Sequence, residues 1–179
     1  TAGRTLVLGQ DIGQDGRSVK RQLGVVPQEL ALYEDLSATE NLRFWGGAYG
    51  LSGARLKRRI QEVLSSVGLL DRAAERVKRF SGGMNRRLNL ACGIVHQPKV
   101  VLLDEPTAGM TVRETHQTAE LIREISQTTG ITILVIEHDI LFVREIASRI
   151  IVMYKGSVFR EGNYQEINAD KSVREIYLG

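Results

Sequence analysis

The chain has 179 residues and 19.9 kDa, with 24 Lys and Arg against 21 Asp and Glu for a formal charge of +3. Apolar residues at 42% and charged residues at 25% are ordinary globular values and exclude a disordered tail, a collagen-like repeat and a coiled-coil rod. Basic and acidic residues are interleaved instead of forming a block, so no nucleic-acid surface is expected. The length points to one domain with room for an inserted subdomain. Cys92 is the only cysteine, which excludes an intrachain disulfide or a cysteine-based metal cluster and fits a reducing compartment. The most apolar stretches, 100–103 and 131–136, fall well short of the roughly 20 residues of a membrane-spanning helix, and no signal-peptide pattern is visible. The chain opens at Thr1 without methionine and runs straight into a strand-like segment, which reads as a start inside a longer parent.

Residues 4–8 and 23–26 read as short strands that pair, with Gly9, Gly13 and Gly16 as turn punctuation between them. From Thr39 to Val67 the pattern is helical, with Leu56, Ile60, Val63, Leu64 and Val67 on one face and a break at Gly50, Ser52 and Gly53. A further helix starts after Ser81-Gly82-Gly83, carrying Met84, Leu88, Ala91 and Val95 at helical spacing and ending before Pro98. Beyond Lys99 strands alternate with helices: strand 100–103, helix 111–127, strand 131–136, helix 139–147, strands 150–153 and 157–160, then one terminal helix over 164–178. That alternation predicts a parallel sheet.

The strongest chemical signal is Val100 to Glu105, an apolar strand that delivers two adjacent acids to its carboxyl end, where open parallel sheets place ligands. Asp104 is placed to hold Mg²⁺ directly or through water, and Glu105 to orient or deprotonate an attacking water. About twenty residues upstream, Ser81-Gly82-Gly83-Met84 opens a helix, where glycines admit close approach of a ligand and free N–H groups favour an anion.

At this spacing, the two segments resemble the signature motif and the Walker B strand of the ATP-binding subunits of ATP-binding-cassette (ABC) transporters. Gln28, in Val26-Pro27-Gln28-Glu29, matches the family's Q-loop glutamine, which touches Mg²⁺ or the lytic water and signals to the membrane subunit. His138, in Val135-Ile136-Glu137-His138-Asp139, matches the switch histidine that contacts the γ-phosphate. His96 and His116, on expected helices, receive no role. Arg86 and Arg87 are expected to pack or pair on the signature helix, Cys92 to sit in the core, and Phe44 and Trp45 to pack on a helix face.

Two departures stand out. The family's D-loop reads Gly-Leu-Asp-Pro, whereas this chain has Gly109-Met110-Thr111-Val112, without the aspartate that couples the two nucleotide sites. No Gly-x-x-x-x-Gly-Lys-Ser/Thr occurs anywhere, so the phosphate-cradling loop is absent, and the parent is expected to have been cut after its Walker A loop. The first half, including Tyr49-Gly50-Leu51 and Phe80 to Leu90, is closer to drug- and antibiotic-export ATPases. The second half, including Ala108 to Thr111 and Val173 to Gly179, is closer to urea and branched-chain amino-acid importers. Import and export both stay open.

The resemblance implies an α/β fold, the P-loop NTPase-like parallel sheet of the ABC ATPase core, at 1–37 and 98–179. An inserted α-helical subdomain at 38–97 ends in the signature motif, and the amino-terminal P-loop segment is lacking. It implies an ATP-binding subunit that couples ATP binding and Mg²⁺-dependent hydrolysis to transmembrane transport, with ATP and Mg²⁺ as cofactors. Glu105, His138 and Gln28 are the catalytic candidates, Asp104 and Gln28 the Mg²⁺ ligands, and Ser81, Gly82, Gly83 and Met84 face the ATP of a partner subunit. The implied partners are a transmembrane permease subunit, received near Leu30 to Leu36, and a second ABC ATPase subunit in a head-to-tail dimer; nucleic acid is not among them. Localisation follows as peripheral, on the cytoplasmic face of the cell membrane. Because the family's P-loop strand is taken to lie beside the Walker B strand, the sheet is expected to lack a neighbour there and the fragment to be marginally stable. Because the P-loop is absent, the isolated chain is expected to be hydrolysis-incompetent. The alternative is a non-catalytic module that pairs with a complete ATPase subunit or a membrane subunit.

Overall fold

The computed structural model describes residues 3–177, in two compact units that meet in sequence between Glu137 and His138. In the first unit β1 (Leu6–Val7) and β2 (Gln10–Asp11) form an antiparallel hairpin, turning through Leu8 and Gly9 at positive φ. Asp11 then caps α1 (Ile12–Gln22) by accepting from the Gly13 N–H at 2.8 Å. The glycines at 13 and 16, expected to be turn punctuation, therefore lie in a helix, and the first strand pairs with β2 rather than with residues 23–26. The cap, Lys20 and Arg21 in the last turn and the buried Val19 together outweigh the glycine cost, with a kink at Asp15 as its trace.

Strands β3 (Leu23–Val26), β4 (Val100–Asp104) and β5 (Thr132–Ile136) make a parallel sheet in the order β3-β4-β5, aligning Leu23 with Val100 and Val100 with Thr132. β4 is paired along both edges, which corrects the expectation of a missing neighbour beside it. Its backbone groups are already spent on β3 and β5, and the open edges belong to those outer strands. Val26, Val101 and Leu103 are buried on one face. On the other, Val25, Leu134 and Ile136 are 49%, 55% and 52% exposed, so that apolar face is largely uncovered.

Between β3 and β4 every regular element is helical: α2 (Ala38–Ala48), α3 (Gly53–Ser66), short 3-10 turns at Leu70–Arg72 and Val77–Arg79, and α4 (Gly82–Ile94). Ser37 and Glu40 close a capping box on α2, and α3 buries Leu56, Ile60, Val63 and Leu64 on the face the periodicity predicts, with Val67 just beyond its end. α4 packs on β3 through two glycines. A Cβ on Gly24 would lie 2.3 Å from the Gly93 carbonyl oxygen, and one on Gly93 would lie 2.4 Å from Val26 Cγ2. After β4, α5 (Val112–Thr129) begins with a Thr111–Glu114 capping box and ends at Gly130, whose φ of 68° closes it in the left-handed region.

His96 lies just past the end of α4 and is buried. Its ring stacks on Tyr49 at a centroid distance of 3.6 Å, and Nε2 is 3.2 Å from the Leu23 carbonyl oxygen. A carbonyl can only accept, so Nε2 carries the proton, and Nδ1 is a buried lone pair with no partner among the described residues. Burial lowers the His96 pKa.

The second unit contains α6 (Ile140–Ile146), the antiparallel hairpin of β6 (Ile150–Tyr154) and β7 (Ser157–Gly162), and α7 (Tyr164–Ala169) and α8 (Lys171–Tyr177). Lys155 and Gly156, both at positive φ, make the two-residue hairpin turn. Val152, Ile167 and Val173 form a small core with Ile150 and Phe159 packed against it. The single terminal helix expected here is two. Asp170 ends α7 and accepts from the N–H groups of Ser172 and Val173 at the start of α8, while Arg160 Nε donates to its other oxygen at 2.7 Å. Leu178 lies outside the described residues.

Gly24→Ala should destabilise the chain by about 2 to 3 kcal/mol, since the new methyl meets backbone that cannot yield; a urea midpoint unchanged from wild type would refute the close packing. A second prediction concerns pH. The unfolded chain protonates His96 before the folded chain does, so the stability contributed by neutral His96 is complete above about pH 6.5 and is lost as pH falls through its lowered folded value. Urea titrations between pH 7 and 5 should therefore show a steeper loss for wild type than for His96→Gln.

Candidate functional site

The segment between β3 and α2 has little regular structure, yet side chains of α2 and α4 hold it along its length. Asn89 Nδ2 donates to the Pro27 carbonyl at 3.2 Å while its Oδ1 accepts from Ala31 N–H at 3.1 Å. Asn41, fully buried, accepts from Tyr33 N–H at 2.8 Å and donates back to the Tyr33 carbonyl at 3.0 Å. Trp45 Nε1 donates to the Ala31 carbonyl at 3.1 Å. Two polar side chains on apolar helix faces, each replacing water for a buried backbone, thus shape the loop that carries Gln28.

At the carboxyl end of β4 the strand stops at Asp104, and Glu105 turns at a φ of 41° while its N–H still bonds to the Ile136 carbonyl at 2.9 Å. A positive φ costs a non-glycine residue of order 1 kcal/mol or more, and such strain gathers at functional sites. Gln28 Nε2 donates to Glu105 Oε2 at 2.7 Å across 77 residues of sequence. That bond uses the amide nitrogen and leaves the side-chain oxygen of Gln28 as an acceptor. Beyond Glu105 the loop is secured by buried Thr107, whose N–H donates to Glu137 Oε1 at 3.1 Å and whose hydroxyl donates to the same oxygen.

Arg86 lies between these two loops. Its guanidinium donates to the Gln28 carbonyl and, at 3.1 Å, to the Ala108 carbonyl. Burial lowers its pKa, and it has no carboxylate partner among the described residues. The expectation that Arg86 merely packs or pairs on its helix is replaced by a bridge between two loops. Arg87 bonds to the end of α3 instead, donating to the Val67 carbonyl at 3.3 Å.

The glycine-rich start of α4 is partly a structural device: Ser81 Oγ accepts from Met84 N–H at 3.2 Å as an N-cap. Gly82 has open space where a Cβ would be, whereas a Cβ on Gly83 would meet Glu114 Oε1 at 3.2 Å. Met84 is half-buried. His138 belongs to the second unit, where it is exposed and precedes Asp139, whose carboxylate caps α6 through the N–H groups of Leu141 and Phe142. Of the residues singled out by sequence, the structure joins Gln28 to Glu105, and Asp104 is the residue before Glu105, at the end of β4. Arg86, Asn89, Asn41 and Glu137 were missed; an amide in the middle of an apolar helix face was the available signal for the two asparagines.

No group of three or more His, Cys, Asp or Glu able to hold a metal occurs among the described residues. Asp104 and the side-chain amide oxygen of Gln28 are hard oxygen donors, and Mg²⁺ is commonly held by one or two carboxylates together with substrate phosphates and water. These donors fit that ion.

The profile of the ABC transporter family matches residues 1–108. The linearmycin resistance ATP-binding protein LnrL of Bacillus subtilis (strain 168) is 36% identical over 166 residues, 93% of this chain and 53% of that protein. The methionine import ATP-binding protein MetN 2 of Pectobacterium atrosepticum is 35% identical over 173 residues, 94% of this chain and 51% of that protein. Among solved structures, CbiO1 of Clostridium perfringens, part of the ABC transporter complex CbiONQ, superposes with a TM-score of 0.86 at 28% identity, covering 99% of this chain and 73% of its own. The chain spans about half the length of the curated relatives it matches. Its α/β core is the P-loop NTPase-like ABC ATPase fold, and with the profile matched over more than half its length the chain belongs to the ABC transporter family.

Proposed function

We propose that the chain is the hydrolytic portion of an ABC transport ATPase, the single carrying observation being the 2.7 Å bond from Gln28 to Glu105 at the carboxyl end of β4. In this reading Glu105 orients or deprotonates the water that attacks the γ-phosphate of ATP. The Gln28 amide nitrogen holds the carboxylate in place, and its oxygen together with Asp104 would hold Mg²⁺. When bound, Mg²⁺ neutralises charge on the phosphate oxygens. His138 is assigned to the γ-phosphate, and Ser81, Gly82, Gly83 and Met84 to ATP held by a second ATPase subunit, head to tail. The open space at Gly82, at the amino end of α4, supports that assignment.

The phosphate cradle of a complete site is proposed to come from polypeptide outside residues 1–179, since the sequence contains no such loop. Thr111, at the D-loop aspartate position, is engaged in its own helix: it donates to Glu114 Oε2 at 2.8 Å. Communication between the two nucleotide sites must then use other groups. A permease is the proposed membrane partner, supported by the complex named for CbiO1 and by Leu30, Tyr33 and Phe44, which are exposed beside the Gln28 loop with Tyr33 and Phe44 in edge contact at 4.8 Å. No helix among the described residues is long and apolar enough to cross a membrane, and peripheral attachment at the cytoplasmic face is part of the proposal.

Residues 1–179 alone should turn over no ATP; Mg²⁺-dependent turnover by this chain by itself would contradict the missing-cradle account. In an ATPase subunit that contains the chain together with a phosphate loop, Glu105→Gln should lower kcat by about 10²- to 10⁴-fold with KM little changed. Unchanged kcat would overturn the assignment of Glu105, whereas absence of turnover in the unaltered subunit would favour the non-catalytic interaction module.

A further inference from the structure

α4 presents three residues in register to the loop that carries Gln28. Gly93 lets the helix touch Val26, Asn89 grips Pro27 and Ala31, and Arg86 donates to the Gln28 carbonyl. The same guanidinium donates to Ala108 at 3.1 Å, three residues beyond Glu105. Residues at i, i+3 and i+7 share one helix face, so displacement of α4 acts on all three contacts together. α4 also begins with Ser81, Gly82 and Gly83. Thus Arg86 lies between the start of α4, the backbone of the residue whose side chain holds Glu105, and the loop that leads to Gly109 and Thr111.

We propose that Arg86 is a positioning residue for hydrolysis: by bridging the Gln28 and Ala108 carbonyls it couples the position of the glycine-rich helix to the placement of Glu105. The inference rests on the reading of Gln28 and Glu105 given above. A planar guanidinium with several fixed donors spans two carbonyls at once, and a lysine ammonium on a flexible stem does not reproduce that fork. Arg86 is half-buried, and its two guanidinium bonds in the structure go to backbone carbonyls. The arrangement suits a tie that yields as the two loops separate.

Two measurements test it. In hydrogen–deuterium exchange on the full chain, Arg86→Met should speed exchange by about tenfold or more in both the Gln28–Ala31 and the Ala108–Met110 segments. Asn89→Ala, which touches only the first segment, should speed that one alone. Unchanged exchange at Ala108–Met110 in Arg86→Met would overturn the bridge. In an ATPase subunit that also has a phosphate loop, Arg86→Lys, chosen to preserve folding, should lower kcat about tenfold while KM moves by less than about threefold. Combined with Gln28→Ala it should cost no more than Gln28→Ala alone, because the two act as one unit. Wild-type kcat in Arg86→Lys, or fully additive losses in the pair, would overturn the positioning role. If the bridge is present by exchange and Glu105→Gln retains wild-type turnover, the failure lies in the reading of the site, and the role of Arg86 in hydrolysis falls with it.

Discussion

Helix α4 lies on strand β3 at a separation that only glycine permits. With a methyl at Gly24 or Gly93 the two backbones would move apart, since the added atom would sit 2.3 Å or 2.4 Å from its neighbour. Arg86 and Asn89 reach the Gln28 loop because the helix is this close to the strand from which the loop issues. The loop in turn brings the Gln28 amide to Glu105. A packing constraint at the foot of the helix thereby sets the chemistry at its upper end, and Glu105 holds its left-handed backbone because hydrogen bonds on both sides over-determine it.

The alternation of strands and helices after Lys99, the apolar face of α3 and the helix opened by Ser81 were legible in the sequence because each carries a strong periodic or capping signal. α1 was not, since its glycines mask a helix whose main determinant is one Asp11 side chain. The split of the terminal helix has the same origin: Asp170 is an ordinary helical-surface residue by pattern and a cap by geometry. Strand order was misread because order is a property of long-range pairing, and nothing local distinguishes β5 from another neighbour of β4.

At the site, residue type and spacing reached Asp104 and Glu105, since two acids at the end of an apolar strand are a local feature, whereas Gln28 was reached only through the family resemblance. The residues that hold them in place were beyond such reading. Arg86, Asn41 and Asn89 act on backbone carbonyls and amides up to 62 residues away; amides set in apolar helix faces marked the two asparagines, but not which backbone they hold. Glu137, whose carboxylate takes both donors of Thr107, was overlooked beside the more conspicuous His138. Thr111 shows the reverse: a departure from the family pattern that, once seen in place, is a helix cap.

The central claim is that Gln28 and Glu105 are joined before any nucleotide arrives. The side-chain amide of Gln28, observed in a ¹⁵N-labelled sample and assigned by its loss in Gln28→Glu, reports on that bond directly. The account predicts a deshielded NH₂ pair that exchanges slowly with water and moves upfield, with faster exchange, in Glu105→Ala. A Gln28 amide that resonates and exchanges like a solvated glutamine, unaffected by Glu105→Ala, would contradict it.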